Sequence, residues 1–217
     1  MKTVGQTIAE AFNYVSKVGE ECEALAQLIR QEISEQLPSA ARALGLAPGK
    51  WSSRYKTIGA GWVYSDMVWF VPLAPANKDD ATAFLSLQLS IFCDSPEAGS
   101  IDEPLLHISF WDSVTDPNTM EYMGFPCYEM IPSTMNQLAN GCARLFRWPA
   151  NTGQPDWWTY SLRVAGLNTL EDVRSLITTP VTRLLADVDK GEELLKTLQK
   201  VVQYSPLINH EDHYRAE

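Results

Sequence analysis

The chain has 217 residues, of which 45% are hydrophobic and 20% are charged, and it carries a net charge of −10 at pH 7. This composition is typical of a globular protein and excludes a disordered chain. The apolar runs are shorter than the ~20 residues that a membrane-spanning helix needs, and the first residues, MKTVGQTIAEA, lack the apolar core of a signal peptide. We therefore expect a cytoplasmic protein without a membrane partner, folded as a single domain over residues 1–217.

The first predicted element is a long helix from Thr7 to Leu37. Thr7 and Glu10 fit a capping box at its start, and Pro38 should end it. Apolar residues recur along it with alternating spacings of three and four, which is the seam of a coiled coil: Ile8, Ala11, Val15, Val18, Cys22, Leu25 and Ile29. Residues 1–46 are thus predicted to be a helical N-terminal extension. Its seam packs either along the protein's own sheet or C-terminal helices or, through residues 7–37, against another chain, which could be a second copy in a homo-oligomer.

Alternation of apolar and polar residues predicts a sheet between residues 59 and 167. The four clearest strands are Gly61–Leu73, Ala81–Asp94, Glu103–Asp112 and Trp157–Leu167, and Gly141–Trp148 is a candidate for a fifth. Short polar loops join the first three, so we expect an antiparallel meander. Pro48–Tyr55 is predicted to be a loop, and Pro72 should mark the end of a strand or an edge.

Helices are expected to follow the sheet over residues 168–204. Thr169 and Asp172 fit a second capping box, Pro180 suits the first turn of the next helix, and Gly191 should bend or interrupt that helix. The predicted fold is therefore α+β: an antiparallel meander sheet of four to five strands. The long N-terminal helix and the C-terminal helices should pack mainly on its aliphatic face.

One face of the predicted sheet carries the candidates for catalysis, which are His107, Asp66 and Arg163. Histidine transfers protons near neutral pH, and a carboxylate could orient it. The neighbours on the same face are mostly polar: Tyr64, Ser86, Gln88, Ser90, Ser109, Thr159 and Ser161. The alternative is a half-solvated outer face, on which such residues are routine, with an Arg163–Asp66 ion pair that explains both charges.

Motifs for cofactors and metals are missing from the sequence. There is no glycine-rich phosphate-binding motif and no nucleophile elbow. The His210-x-x-His213 pair lies in a short polar tail, whereas metal ligands need a rigid second shell. The four cysteines are scattered, which favours reduced thiols. We predict neither a metal nor a cofactor.

Charge is unevenly distributed, with five basic and twelve acidic residues between Trp51 and Asp156. Such a field repels a phosphate backbone, which argues against direct nucleic-acid binding, and it favours a basic protein partner. The predicted function is therefore that of a non-catalytic, bacterial-type protein-binding module of immunity, regulatory or accessory character. Its predicted binding surface is acidic and aromatic: Asp79, Asp80, Asp94, Glu97, Trp148 and Trp157.

Two other functions remain open from the sequence. The polar face around His107 and Arg163 could belong to a small-molecule-binding or hydrolytic enzyme if a cleft covers it. Alternatively, the carboxylates could be spaced like phosphates, so that the protein mimics nucleic acid.

Overall fold

The structure is a computed structural model, which describes residues 2–58, 61, 63–76, 80–91, 103–111, 144–148, 156–206 and 214–216. Within these ranges the chain forms α1 (Val4–Ala43), followed by strands and then three shorter helices. The strands are β1 (Leu46–Pro48), β2 (Ser52–Ile58), β3 (Val63–Pro75), β4 (Ala83–Ser90), β5 (Leu105–Trp111), β6 (Phe146–Trp148), β7 (Trp157–Arg163), β8 (Tyr204–Pro206) and β9 (Tyr214–Ala216). The helices are α2 (Leu170–Val173), α3 (Thr179–Ala186) and α4 (Val188–Thr197), and a π-helical stretch, Arg174–Thr178, joins α2 to α3.

The sheet is antiparallel, which confirms the predicted α+β class. Its strand order is β1-β3-β4-β5-β7-β6, with β2 also paired to β3, so seven of the described strands belong to it. The prediction of four to five strands was too low because β1 and β2 occupy the region that was predicted to be a loop. β1 has only three residues and β2 is mostly polar, so neither carries a clear apolar alternation, and pairing with the edge of β3 makes them strands.

Pro72 does not end its strand, since β3 continues to Pro75. The edge of β3 pairs with β2 up to Phe70 and with β1 from Leu73 onward, so Pro72 faces the gap between these two partners. There its carbonyl accepts a hydrogen bond of 2.8 Å from the Gly49 N–H. In an antiparallel sheet the N–H and C=O of one residue point toward the same side of the strand. An N–H at position 72 would therefore also have faced this gap, and this is why β3 can continue through a proline.

Helix α1 is longer than predicted at both ends. Thr3 caps it, with its side chain and that of Gln6 forming the capping box, and the helix passes through Pro38. Leu37 and Ala41, on either side of Pro38, are buried in the hydrophobic core. Their burial offsets the ~3 kcal/mol that an interior proline costs, and this is why the sequence-based stop at Pro38 was wrong.

The main core lies between the aliphatic face of the sheet and the helices, as predicted. The C-terminal half of α1 contributes Ala26, Ile29, Ile33, Leu37 and Ala41, and the C-terminal helical region contributes Val173, Leu176, Ile177, Val181, Leu184, Leu185 and Leu195. Strands β3, β4, β5 and β7 supply the sheet side, including Trp69, Leu87, Ile108 and Tyr160. None of the helices in the described ranges is both long and apolar enough to cross a lipid bilayer.

The C-terminal helices break at Asp187, not at Gly191. Asp187 has an extended backbone and caps α4 by accepting a hydrogen bond from the Lys190 N–H at 3.1 Å. Gly191 lies inside α4, where a Cβ would be 2.5 Å from Leu184 Cδ2. The glycine therefore permits α3 and α4 to approach closely and does not interrupt the helix.

A second, smaller core lies on the opposite face of the sheet. Leu105 of β5, Phe146 of β6 and the C-terminal residues Val202 and Tyr204 pack together there, with Trp111 and Trp148 at the margin. The polar residues of this face are buried: Ser86, Gln88, Ser90, His107, Ser109, Thr159 and Ser161. The expectation of a half-solvated face is therefore wrong.

Candidate functional site

His107 belongs to a buried hydrogen-bonded chain on the covered face, with Ser161 at its centre. His107 Nδ1 lies 2.7 Å from Ser161 Oγ, and Tyr204 Oη donates to the same oxygen at 2.8 Å. His107 and Ser161 have no exposed surface, so this chain ties the C-terminal segment to the sheet.

The other polar residues of this face also bond to one another. Gln88 Nε2 donates to Asp66 Oδ1 at 3.1 Å, and the Ser90 hydroxyl donates to the same oxygen at 2.7 Å. Thr159 Oγ1 donates to Ser109 Oγ at 2.9 Å. Buried polar groups satisfied in this way stabilise a fold.

The structure does not bring the three catalytic candidates together. Asp66 pairs with Ser90 across the sheet, Ser90 with Leu105, and Leu105 with Arg163. At ~4.8 Å per strand, Asp66 and Arg163 are therefore roughly 14 Å apart. Arg163 forms its ion pair with Glu103, not with Asp66.

The predicted binding residues lie at separate places in the structure. Asp80 is exposed between β3 and β4. Trp148 is half-buried against Trp111, with ring centroids 5.9 Å apart, and Trp157 packs half-buried against the main core. Asp79, Asp94 and Glu97 lie outside the described residues, so the acidic surface stays a prediction.

The N-terminal half of α1 presents a second candidate surface. Residues 2–17 are all exposed, whereas the C-terminal half of the helix has one face buried in the main core. We call residues 4–18 the overhang and Val4, Ile8, Ala11 and Val15 the exposed stripe. Val4 is 78% exposed, Ile8 52% and Val15 45%. At 3.6 residues per turn this stripe continues the face that carries Cys22 and Ile29 against the sheet, so α1 extends beyond the sheet with its apolar face uncovered.

A groove of about 620 Å³ lies where α1 leaves the sheet. Glu20 and Glu23 of the helix line one side, and Tyr55 of β2 and Tyr64 of β3 line the other. The two tyrosine rings are 5.1 Å apart, and Tyr55 Oη donates to Glu23 Oε1 at 2.8 Å. Burial, followed by the Glu23 carboxylate, raises the pKa of Tyr55. Sequence reasoning missed Tyr55 because it treated β2 as a loop.

Metal ligands do not cluster in the part of the chain that the structure describes. No group of three or more His, Cys, Asp or Glu side chains is placed there to hold an ion. His210 and His213 fall outside the described ranges. Cys22 is a free, half-buried thiol on the seam of α1.

Comparison of the chain with protein-family models, with curated proteins and with solved structures found no match.

Proposed function

We propose that this chain is a non-catalytic, cytoplasmic protein-binding protein of immunity, regulatory or accessory type that self-associates through α1. The exposed stripe on the overhang carries the proposal. Valine and isoleucine side chains aligned over more than two turns and left in water favour association, because burial releases about 25 cal/mol per Å² of apolar surface.

A second copy of the chain is the occupant that the stripe fits best. Its spacing of three and four residues is that of a coiled-coil seam, and the same seam on an identical helix is self-complementary. The enzyme alternative has less support because His107 has no exposed surface and bonds Ser161 inside the fold.

The acidic surface remains the second part of the proposal. Besides the exposed Asp80, the acidic surface would include three carboxylates just after the overhang, at the position we call its root: Glu20, Glu21 and Glu23. Dimerisation would present two such acidic regions to a basic partner protein, which doubles the binding sites without a new contact.

Self-association can be tested by placing charges on the stripe. The double variant Ile8→Lys/Val15→Lys should raise the dimer Kd at least about tenfold, since each substitution removes apolar contact and brings like charges together. Sedimentation equilibrium measures this Kd.

The matched control places the same charges elsewhere on the same helix. Ala9→Lys/Asn13→Lys alters exposed positions on the opposite side of α1 and should leave the Kd unchanged. A wild-type protein that remains monomeric over the whole concentration range would refute the proposed self-association.

A further inference from the structure

We infer that two copies pair through the overhang in antiparallel orientation, with Val4 of each helix against Cys22 of the other. This inference rests on the proposed self-association and specifies its geometry. It makes each overhang fill the space directly beyond the edge of its partner's core.

The orientation follows from the position of the sheet. From Cys22 onward the seam face of α1 contacts the sheet, where Leu25, Ala26 and Ile29 meet Trp69, Leu87 and Leu89. A parallel partner helix lying on the exposed stripe would continue along this same face and run into the sheet. An antiparallel partner leaves in the other direction, and its first turn reaches the point where the sheet begins.

The spacing between layers is also compatible with this arrangement. Packed helices lie 8–10 Å apart and a helix packs at a similar distance on a sheet. The overhang of one copy therefore lies at the same distance from α1 of the other copy as that copy's own sheet does. It extends the apolar layer that the sheet forms against α1.

The register follows from the seam residues. In an antiparallel pair each heptad a position packs against a d position of the partner helix. The register with the longest apolar overlap that still leaves Ile29 in the core of its own chain contains three different pairs of seam residues. They are Val4 with Cys22, Ile8 with Val18, and Ala11 with Val15, each occurring twice by symmetry. Shifting the helices one heptad deeper would place Val4 against Ile29, which the sheet already buries.

Charge complementarity favours the same orientation. The start of α1 carries the positive end of the helix dipole, and Lys2 forms an exposed ion pair with Glu10 there, whereas the root of the overhang, residues 20–23, carries three glutamates. Antiparallel pairing brings the positive end of each helix close to the acidic root of the other. Parallel pairing would place the two acidic roots side by side.

The native thiol at position 22 provides a direct test. The variant Val4→Cys should form a disulfide-linked dimer on mild oxidation, and peptide mass analysis should show the link between positions 4 and 22. Burial and the neighbouring Glu21 and Glu23 raise the pKa of Cys22, so the oxidation is run at alkaline pH, where the thiolate forms.

The control variant Val4→Cys/Cys22→Ser separates the possible geometries. Loss of the cross-link in this variant is the expected result. A cross-link that persists between two copies of position 4 would establish parallel pairing and overturn the inference, while the proposed self-association would stand. A wild-type dimer in which Val4→Cys forms no link to position 22 overturns the register, and a monomeric wild type overturns both proposals.

Discussion

At the scale of single residues, the covered face shows how polar side chains can serve as core. Ser161 bonds both His107 and Tyr204, and so connects β7, β5 and the C-terminal segment through one hydroxyl. Burial without partners would cost each group a few kcal/mol. The hydrogen bonds remove this cost and fix which residues lie opposite each other.

Replacing Ser161 with Ala should lower the free energy of unfolding by about 1–3 kcal/mol, because two buried groups lose a shared partner. Urea denaturation followed by tryptophan fluorescence measures the change.

Tyr204→Phe is the matched comparison. It removes one hydroxyl and leaves the His107–Ser161 bond in place, so its effect should be smaller than that of Ser161→Ala. Equal stability of Ser161→Ala and wild type would show that the hydrogen-bonded chain contributes nothing to the fold.

At the scale of elements, α1 has one periodicity and two environments. Its seam runs from the exposed Val4 to the buried Ile29 without changing spacing. Periodicity identifies the apolar face, but the extent of the sheet decides which part of that face is covered. Glu32, in the C-terminal half of α1, interrupts the seam and is nevertheless buried. Its carboxylate accepts a hydrogen bond from Arg174 Nε at 2.7 Å, which joins α1 to the π-helical stretch.

Helices α3 and α4 pack so closely at Gly191 that a larger residue there should destabilise the protein. In Gly191→Ala the new methyl group would be 2.9 Å from Leu184 Cα, a backbone atom that cannot move aside easily. Overpacking of about 1–3 kcal/mol should exceed the gain of about 1 kcal/mol in helix propensity. Thermal denaturation should therefore show a lower Tm.

The same substitution in α1 serves as the control. A Cβ at Gly19 meets no atom within 4 Å, so Gly19→Ala should not lower the Tm. Unchanged stability of Gly191→Ala would mean that α4 can shift away from α3 at little cost.

At the scale of the whole molecule, the overhang is separate from the core that holds the sheet and helices together. A chain that lacks residues 2–11 loses Val4, Ile8 and Ala11, and with them every predicted layer of the dimer. These residues are exposed, so the truncated protein should match the Tm of the wild type in dilute solution.

Concentration dependence distinguishes the two proteins. The wild-type Tm should rise with protein concentration, because association stabilises the folded state by mass action, whereas the Tm of the truncated protein should stay constant. Differential scanning calorimetry over a wide concentration range measures both. A concentration-dependent Tm in the truncated protein would show that association uses another surface.

The sequence by itself determined the α+β class, the antiparallel sheet, the helices on one face and the seam of α1. Each of these follows from hydrophobic periodicity, which reports the face of an element that must leave water. His107, Ser161 and Gln88 were assigned correctly to one face of the sheet by the same alternation.

Only the tertiary structure decided what covers each face. β1 and β2 are strands because β3 offers them an edge, and α1 passes Pro38 because Leu37 and Ala41 are buried. On β7 the polar face is interior where Tyr204 packs against Phe146 and bonds Ser161, and the overhang is exposed because the sheet ends near Cys22. These outcomes depend on contacts between residues far apart in the chain, and local periodicity contains no information about such contacts.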